Sequence, residues 1–259
     1  MIPPNFAPET WSTRFHAKAA EICAATVDPS HDLAHLSRVV RVAREICALE
    51  GARWEVVLPA SYFHDFVLVE KNDPRRREAS RLSATAATQW LREQGYPEPI
   101  LPEVAHAIEA HSYSAGIPPR TLEAKIVQDA DRLDALGSIG VMRAFSMGGR
   151  LNRPFYSVRD PFCVNRAPND GEFTLDHFYA KLLKLEASLQ TDSAREIAGT
   201  RMRFMRDFLA QLAREVGSEP EGDPDERQLV TKLGADPQVV LEVVNRARPE
   251  AGVEAKNIS

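Results

Sequence analysis

The sequence predicts an all-α protein. Apolar residues recur at three- and four-residue spacing through segment after segment, and no run of strand length alternates apolar with polar residues. The breaks between periodic segments hold capping residues, prolines and glycines where helix ends need them. No internal repeat is present.

From about residue 9 to 27, Trp11, Phe15, Ala19 and Ile22 share one side of a helix. Pro29-Ser30-His31-Asp32 breaks it, and Ser30 or Asp32 can accept the free N–H groups that open the next helix. That helix carries Leu36, Val39, Val40, Ala43, Ile46 and Cys47 as a buried stripe and closes at Gly51. Trp54 to about Leu68 is apolar almost all round, which places it near the domain centre. After the polar break at 71–77, Glu78 to Gln94 forms an amphipathic helix ended by Gly95, and Pro97 to His111 forms another. Arg120 to about Met147 forms one bent helix or two, because Gly137 and Gly140 weaken its middle.

Residues 148–174 lose periodicity and fill with turn chemistry; a connection of that length inside a domain reads as a lid or binding loop. Helical patterns resume over Leu175 to Leu189 and Ser193 to Val216. Ser218 to Glu226 reads as an acidic linker, Asp236-Pro237 as the start of a short valine-rich helix, and the chain past Pro249 as a disordered tail. The expected organisation is therefore one domain over 9–217, with 148–174 its lid-like segment, followed by linker, helix and tail over 218–259.

A net charge of −5 argues against general nucleic-acid binding, which needs a broadly basic face, but leaves room for a small anion held by local arginines. Cys23, Cys47 and Cys163 are widely spaced and form no CxxC pair, which fits a reducing compartment better than a disulfide framework. The N-terminus lacks the basic and apolar regions of a signal peptide, and no apolar run is long enough to span a bilayer. These features point to a cytoplasmic protein with no membrane partner. The valine face of the last helix leaves a homodimer open.

The chemistry concentrates at His64-Asp65, at the end of the most apolar segment. A single histidine on an apolar face is more often a hydrogen-bonded core residue than a ligand. Two ligand-type side chains in one buried segment are costly without a cation, which changes the balance. His35 shares a helical surface with Val39 and Val42, so it too points inward. His31-Asp32 is a second His-Asp pair, but at a helix start, where capping is the simpler role. Among Asp129, Asp131 and Asp134, spacing alone does not choose a ligand.

The order His35, His64-Asp65, Asp131 resembles the HD-domain metal-dependent phosphohydrolases, and within them the YedJ-like branch. The similarity extends through His31-Asp32-Leu33-Ala34-His35-Leu36-Ser37-Arg38-Val39, Ala110-His111-Ser112-Tyr113-Ser114, residues 128–137 and residues 176–182, covering roughly 15–215. It implies an HD-domain helical bundle with additional C-terminal helices. It also implies one divalent transition-metal ion (Mn, Fe, Co or Ni, with Mg a further choice) held by His35, His64, Asp65 and Asp131. Asp129 and Asp134 then become supporting or capping residues. The activity implied is hydrolysis of a small phosphorylated substrate, a nucleotide, by attack of metal-bound hydroxide on phosphorus. Cleavage of a nucleoside or deoxynucleoside triphosphate leads; a phosphodiesterase, a nucleoside monophosphatase and a weakly catalytic nucleotide-binding regulator are the alternatives.

Alongside Asp65 as a catalytic residue, Glu70 could act as general base, though a glutamate at a helix end is often only solvated. His111 could orient substrate, protonate a leaving group or bind a second ion. The five-residue gap to His106 puts that histidine on another face, where a core role is the simpler reading. Lys71 and Arg75 stand out from their basic loop by family pattern as phosphate contacts. Arg143, Tyr156 and His177 are candidates for holding the rest of the substrate, with Tyr156 stacking on a base.

Overall fold

In the computed structural model of the chain, the described residues are 6–24, 32–69, 73–112 and 114–217. They contain α-helices, 3₁₀ turns and irregular segments, with no strand among them. They form two compact units. One comprises the chain through Asp134 together with Leu189–Ile197; the other comprises Ala135–Ser188 and the chain from Ala198.

The first unit is built from α1 (Ser12–Ala24), α2 (Leu33–Glu50), α3 (Trp54–Phe63), α4 (Ala79–Glu93), α5 (Leu101–His111) and α6 (Leu122–Leu133). α2 packs on α3 and α6, and α5 packs on α3, α4 and α6. α3 is central, as its composition predicts: every residue from Val56 to Phe63 is buried. Pro59 inside it has no N–H for the carbonyl of Glu55, and the Tyr96 hydroxyl donates to that oxygen instead at 2.7 Å. At the start of α3, Arg53 reaches Glu103 of α5 at 3.0 Å and Glu123 of α6 at 3.1 Å, tying three helices together.

The sequence predicts that α3 continues to Leu68, but it stops at Phe63. The backbone beyond it finds other partners: the Phe66 N–H bonds Phe63 O at 3.1 Å, and the Val67 N–H bonds Ser83 Oγ of α4 at 3.0 Å. His64 thereby becomes the last residue of the turn closing α3, and Asp65 stands just past the helix.

In the second unit α7 spans Gly137–Arg150 and α8 spans Asp176–Ala180; α9, Asp192–Val216, supplies its residues from Ala198. Arg120–Met147 is thus two helices. α7 opens at Gly137, whose φ of 72° suits glycine. It also runs on through Gly148-Gly149, where turn chemistry suggested irregular chain. Gly148 is buried in α7 because Thr174 fills the space a side chain would need. The predicted helix over 175–189 breaks: α8 ends at Lys181 (φ −136°, ψ −58°), and 3₁₀ turns follow at Leu182–Lys184 and Glu186–Ser188. Leu182 and Leu185 are buried at the three-residue spacing that 3₁₀ geometry aligns. Phe145, Phe178 and Phe208 cluster in this unit at centroid separations of 6.0–6.1 Å.

The irregular stretch between α7 and α8 is stitched from within. Asp160 accepts the N–H groups of Val164 (2.9 Å) and Asn165 (2.8 Å), and Arg166 donates to both oxygens of the buried Asp176 at 2.5 and 2.7 Å. The linker, valine-rich helix and tail expected over 218–259 lie outside the described residues. Among those described, no helix is long and apolar enough to cross a membrane.

Candidate metal centre

Four helices of the first unit bring five ligand-type side chains together. Asp32 caps α2 by accepting the His35 N–H at 2.7 Å, which fixes the first turn and sets His35 on the buried stripe. His64 and Asp65 come from the end of α3, His111 is the last residue of α5, and Asp131 lies in the last turn of α6. The imidazoles of His35 and His64 are fully buried, whereas the carboxylates of Asp65 and Asp131 keep 22% and 30% exposure. The rings line the protein side of the cluster and the carboxylates its open side.

The five residues form two overlapping triads, His35–His64–Asp131 and His64–Asp65–His111. His35 Nε2 is 3.3 Å from His64 Nε2 and 3.6 Å from Asp131 Oδ1. His64 Nε2 is 3.5 Å from Asp65 Oδ2, and His111 Nε2 is 3.6 Å from Asp65 Oδ1. Each ring spends its Nδ1 on an oxygen: His35 on Asp134 (2.7 Å), His64 on the Ser61 carbonyl (3.0 Å), His111 on the Ile108 carbonyl (2.6 Å). Those oxygens accept, so each Nδ1 carries a hydrogen and each Nε2 faces the cluster.

Two Nε2 atoms facing each other at 3.3 Å repel unless a proton or a cation stands between them. Bonds of about 2.1 Å to a common ion place neighbouring ligand atoms about 3–4 Å apart, and the separations above fall in that span. The donors therefore fit a divalent ion. Burial pushes His64 down to about 4, against the opposing pull of Asp65, so its ring is neutral at physiological pH. Burial also acts on His111, but Asp65 and Asp131 outweigh it and hold this ring above its ordinary value. For Asp131, burial would raise the carboxyl, and the three imidazoles outweigh it, keeping it below the usual range.

Asp134 and Asp129 separate into different roles. Asp134 supports His35 and is itself held by Arg38, whose Nε and Nη2 donate at 2.6 and 2.9 Å. Arg38 was not singled out from the sequence; its place three residues after His35 was the available signal. Asp129 is fully buried and faces the start of α9, accepting from the N–H groups of Gln190 (2.9 Å) and Thr191 (2.8 Å). His106 accepts the Arg120 N–H at 2.9 Å, which agrees with a structural role.

The HD domain family matches residues 32–136, a span that opens at the cap before His35 and closes beyond Asp131. The uncharacterized protein YpgQ of Bacillus subtilis is 33% identical over 190 residues, covering 72% of this chain and 84% of YpgQ. The chain belongs to the HD domain family. Its structure is similar to that of B. subtilis YpgQ in complex with ADP, with 29% identity, a TM-score of 0.64, and coverage of 80% of this chain and 96% of that one. It is also similar to an HD-superfamily hydrolase from Bacillus thuringiensis, with 29% identity, a TM-score of 0.65, and coverage of 82% and 100%. HD domains bind divalent metals, and membership makes this chain a metal-dependent hydrolase.

Arg75 is exposed and bonded to both oxygens of Asp73 at 3.1 and 2.8 Å, a pairing that holds the Asp73 carboxyl down at about 2. Glu70 and Lys71 lie outside the described residues. Arg143, Tyr156 and His177 belong to the second unit. There Tyr156 lines an open groove of about 630 Å³ with Pro154, Arg159, Arg166 and Phe173, and His177 bonds Asp170 at 2.9 Å.

Proposed function

We propose that this HD hydrolase cleaves nucleoside or deoxynucleoside triphosphates to the monophosphate and pyrophosphate, with a divalent ion held by His35, His64, Asp65 and Asp131. The observation that carries the reading is the gathering of three Nε2 atoms and two part-exposed carboxylates into two triads that share His64. The ADP bound by B. subtilis YpgQ supports a nucleotide as the substrate class.

The chemistry such an ion supplies when bound is polarisation of a phosphoryl oxygen and activation of water. Mixed imidazole and carboxylate donors suit Mn²⁺, Fe²⁺, Co²⁺ or Ni²⁺ better than Mg²⁺. Asp65 turns Oδ2 toward His64 and Oδ1 toward His111, so one carboxylate serves ligation and the neighbouring imidazole together. In the reaction the water oxygen bonds the α-phosphorus, the bridging P–O bond to the β-phosphate breaks, and pyrophosphate leaves with the bonding pair. His111 is the proposed donor of a proton to that leaving group, with Glu70 the candidate to receive one from water. Lys71 and Arg75 would bring positive charge to the phosphate chain; Arg143, Tyr156 and His177 are proposed for the nucleoside end.

The test is purified full-length protein with Mn²⁺, Co²⁺, Ni²⁺ and Mg²⁺ against nucleoside triphosphates, diphosphates, monophosphates and phosphodiesters, with products separated by chromatography. Monophosphate and pyrophosphate in equal amounts are expected. Orthophosphate from monophosphates, or turnover of diesters alone, would replace this substrate assignment. Nucleotide binding without turnover under any metal would make the chain a regulatory module.

A further inference from the structure

His35 hangs between two carboxylates of one α6 turn: Nε2 faces Asp131 at 3.6 Å and Nδ1 bonds Asp134 at 2.7 Å. Arg38, three residues along α2, closes the figure by gripping both oxygens of Asp134. The result is a clasp of two i,i+3 pairs, His35/Arg38 on α2 and Asp131/Asp134 at the end of α6. The Asp134 side chain is 4% exposed and Arg38 28%, so the acceptor is fixed inside while the cation that fixes it reaches the surface. A carboxylate held at two points by guanidinium has its plane set, and that plane sets the direction in which Oδ2 meets the His35 ring. Partners behind a metal-binding histidine determine its tautomer and orientation.

We propose that Arg38 is a positioning residue whose two-point grip on Asp134 aims His35 Nε2 and thereby sets the affinity of the centre for its divalent ion. The proposal rests on the ligand assignment above. Arg38 reaches the cluster through Asp134, to which both its Nε and its Nη2 donate.

The test is Mn²⁺ titration by calorimetry, with the visible spectrum of bound Co²⁺, on full-length wild type, Arg38→Ala, Arg38→Lys and Asp134→Asn. Arg38→Ala is expected to weaken Mn²⁺ binding about tenfold or more and to change the Co²⁺ spectrum. Added methylguanidine should restore much of both; Arg38→Lys, a point charge without the fork, should recover only part. Asp134→Asn should match or exceed the loss in Arg38→Ala. Because the spectrum reports on bound metal, a folding defect alone would lower the bound fraction and leave the band shape intact. An unchanged Mn²⁺ affinity and Co²⁺ spectrum in Arg38→Ala would overturn the proposal. Failure of the wild type itself to bind either ion would overturn the ligand assignment and the proposal with it.

Discussion

His35 Nε2 stands 3.3 Å from His64 Nε2, with the Nδ1 of each ring already committed to an oxygen. Without a proton or a cation between the two nitrogens that contact is a repulsion, held in place by the packing of α2 against α3. Metal should therefore stabilise the protein beyond its effect on activity. At an ion concentration about 100 times the dissociation constant, binding adds about 2.7 kcal/mol, or about 5–10 °C for a chain of this size. Thermal melts with EDTA and with Mn²⁺ measure it, and coincident melts would count against the site.

Replacement of Asp65 by Asn keeps the size of the side chain and removes its charge on both sides. Turnover should fall by about 10²–10⁴-fold, together with bound-metal content by elemental analysis. Wild-type turnover in Asp65→Asn would remove this residue from the chemistry.

Tyr96→Phe probes the helix that carries the centre. The Glu55 carbonyl, which Pro59 cannot serve, would lose its donor at a part-buried position. The expected cost is about 1–3 kcal/mol in urea unfolding, with metal affinity unchanged because Tyr96 is no part of the cluster.

Asp176 makes the second unit acid-sensitive. Burial would raise its carboxyl, but Arg166 and the Asn169 N–H outweigh it and hold it below the usual value of 3.8. A lowered folded value means the folded state binds the proton more weakly than the unfolded chain. The stabilisation is then complete above about pH 4 and is lost as pH falls through the folded value. Asp176→Asn should cost about 3 kcal/mol at neutral pH and flatten the fall in melting temperature below pH 4. An identical acid profile in the variant would show that other carboxylates govern it.

Helices were legible where an apolar stripe ran between local stops. α2 is the clearest case, since Asp32 and Gly51 act through their own backbone neighbourhood. The end of α3 was not legible, because its apolar run continues to Leu68 and what ends the helix is a bond to Ser83, sixteen residues away. The break at Lys181 was hidden for the opposite reason: Leu182 and Leu185 suit an α-helix and a 3₁₀ turn equally well. In the centre, the order of His35, His64-Asp65 and Asp131 was readable as pattern, and geometry gathers those residues with His111. The Arg38–Asp134 clasp was not, because it joins residues 96 apart whose pairing depends on how α2 lies on α6.

An imidazole nitrogen has a single lone pair, so His64, though it stands in both triads, can complete only one of them through Nε2. With His35 and Asp131 it would hold one ion, and Asp65, with one oxygen toward His64 and the other toward His111, would tie that ion to the second triad. Five donor residues in this arrangement would then serve one ion rather than two, and the ring at the crossing sets that count.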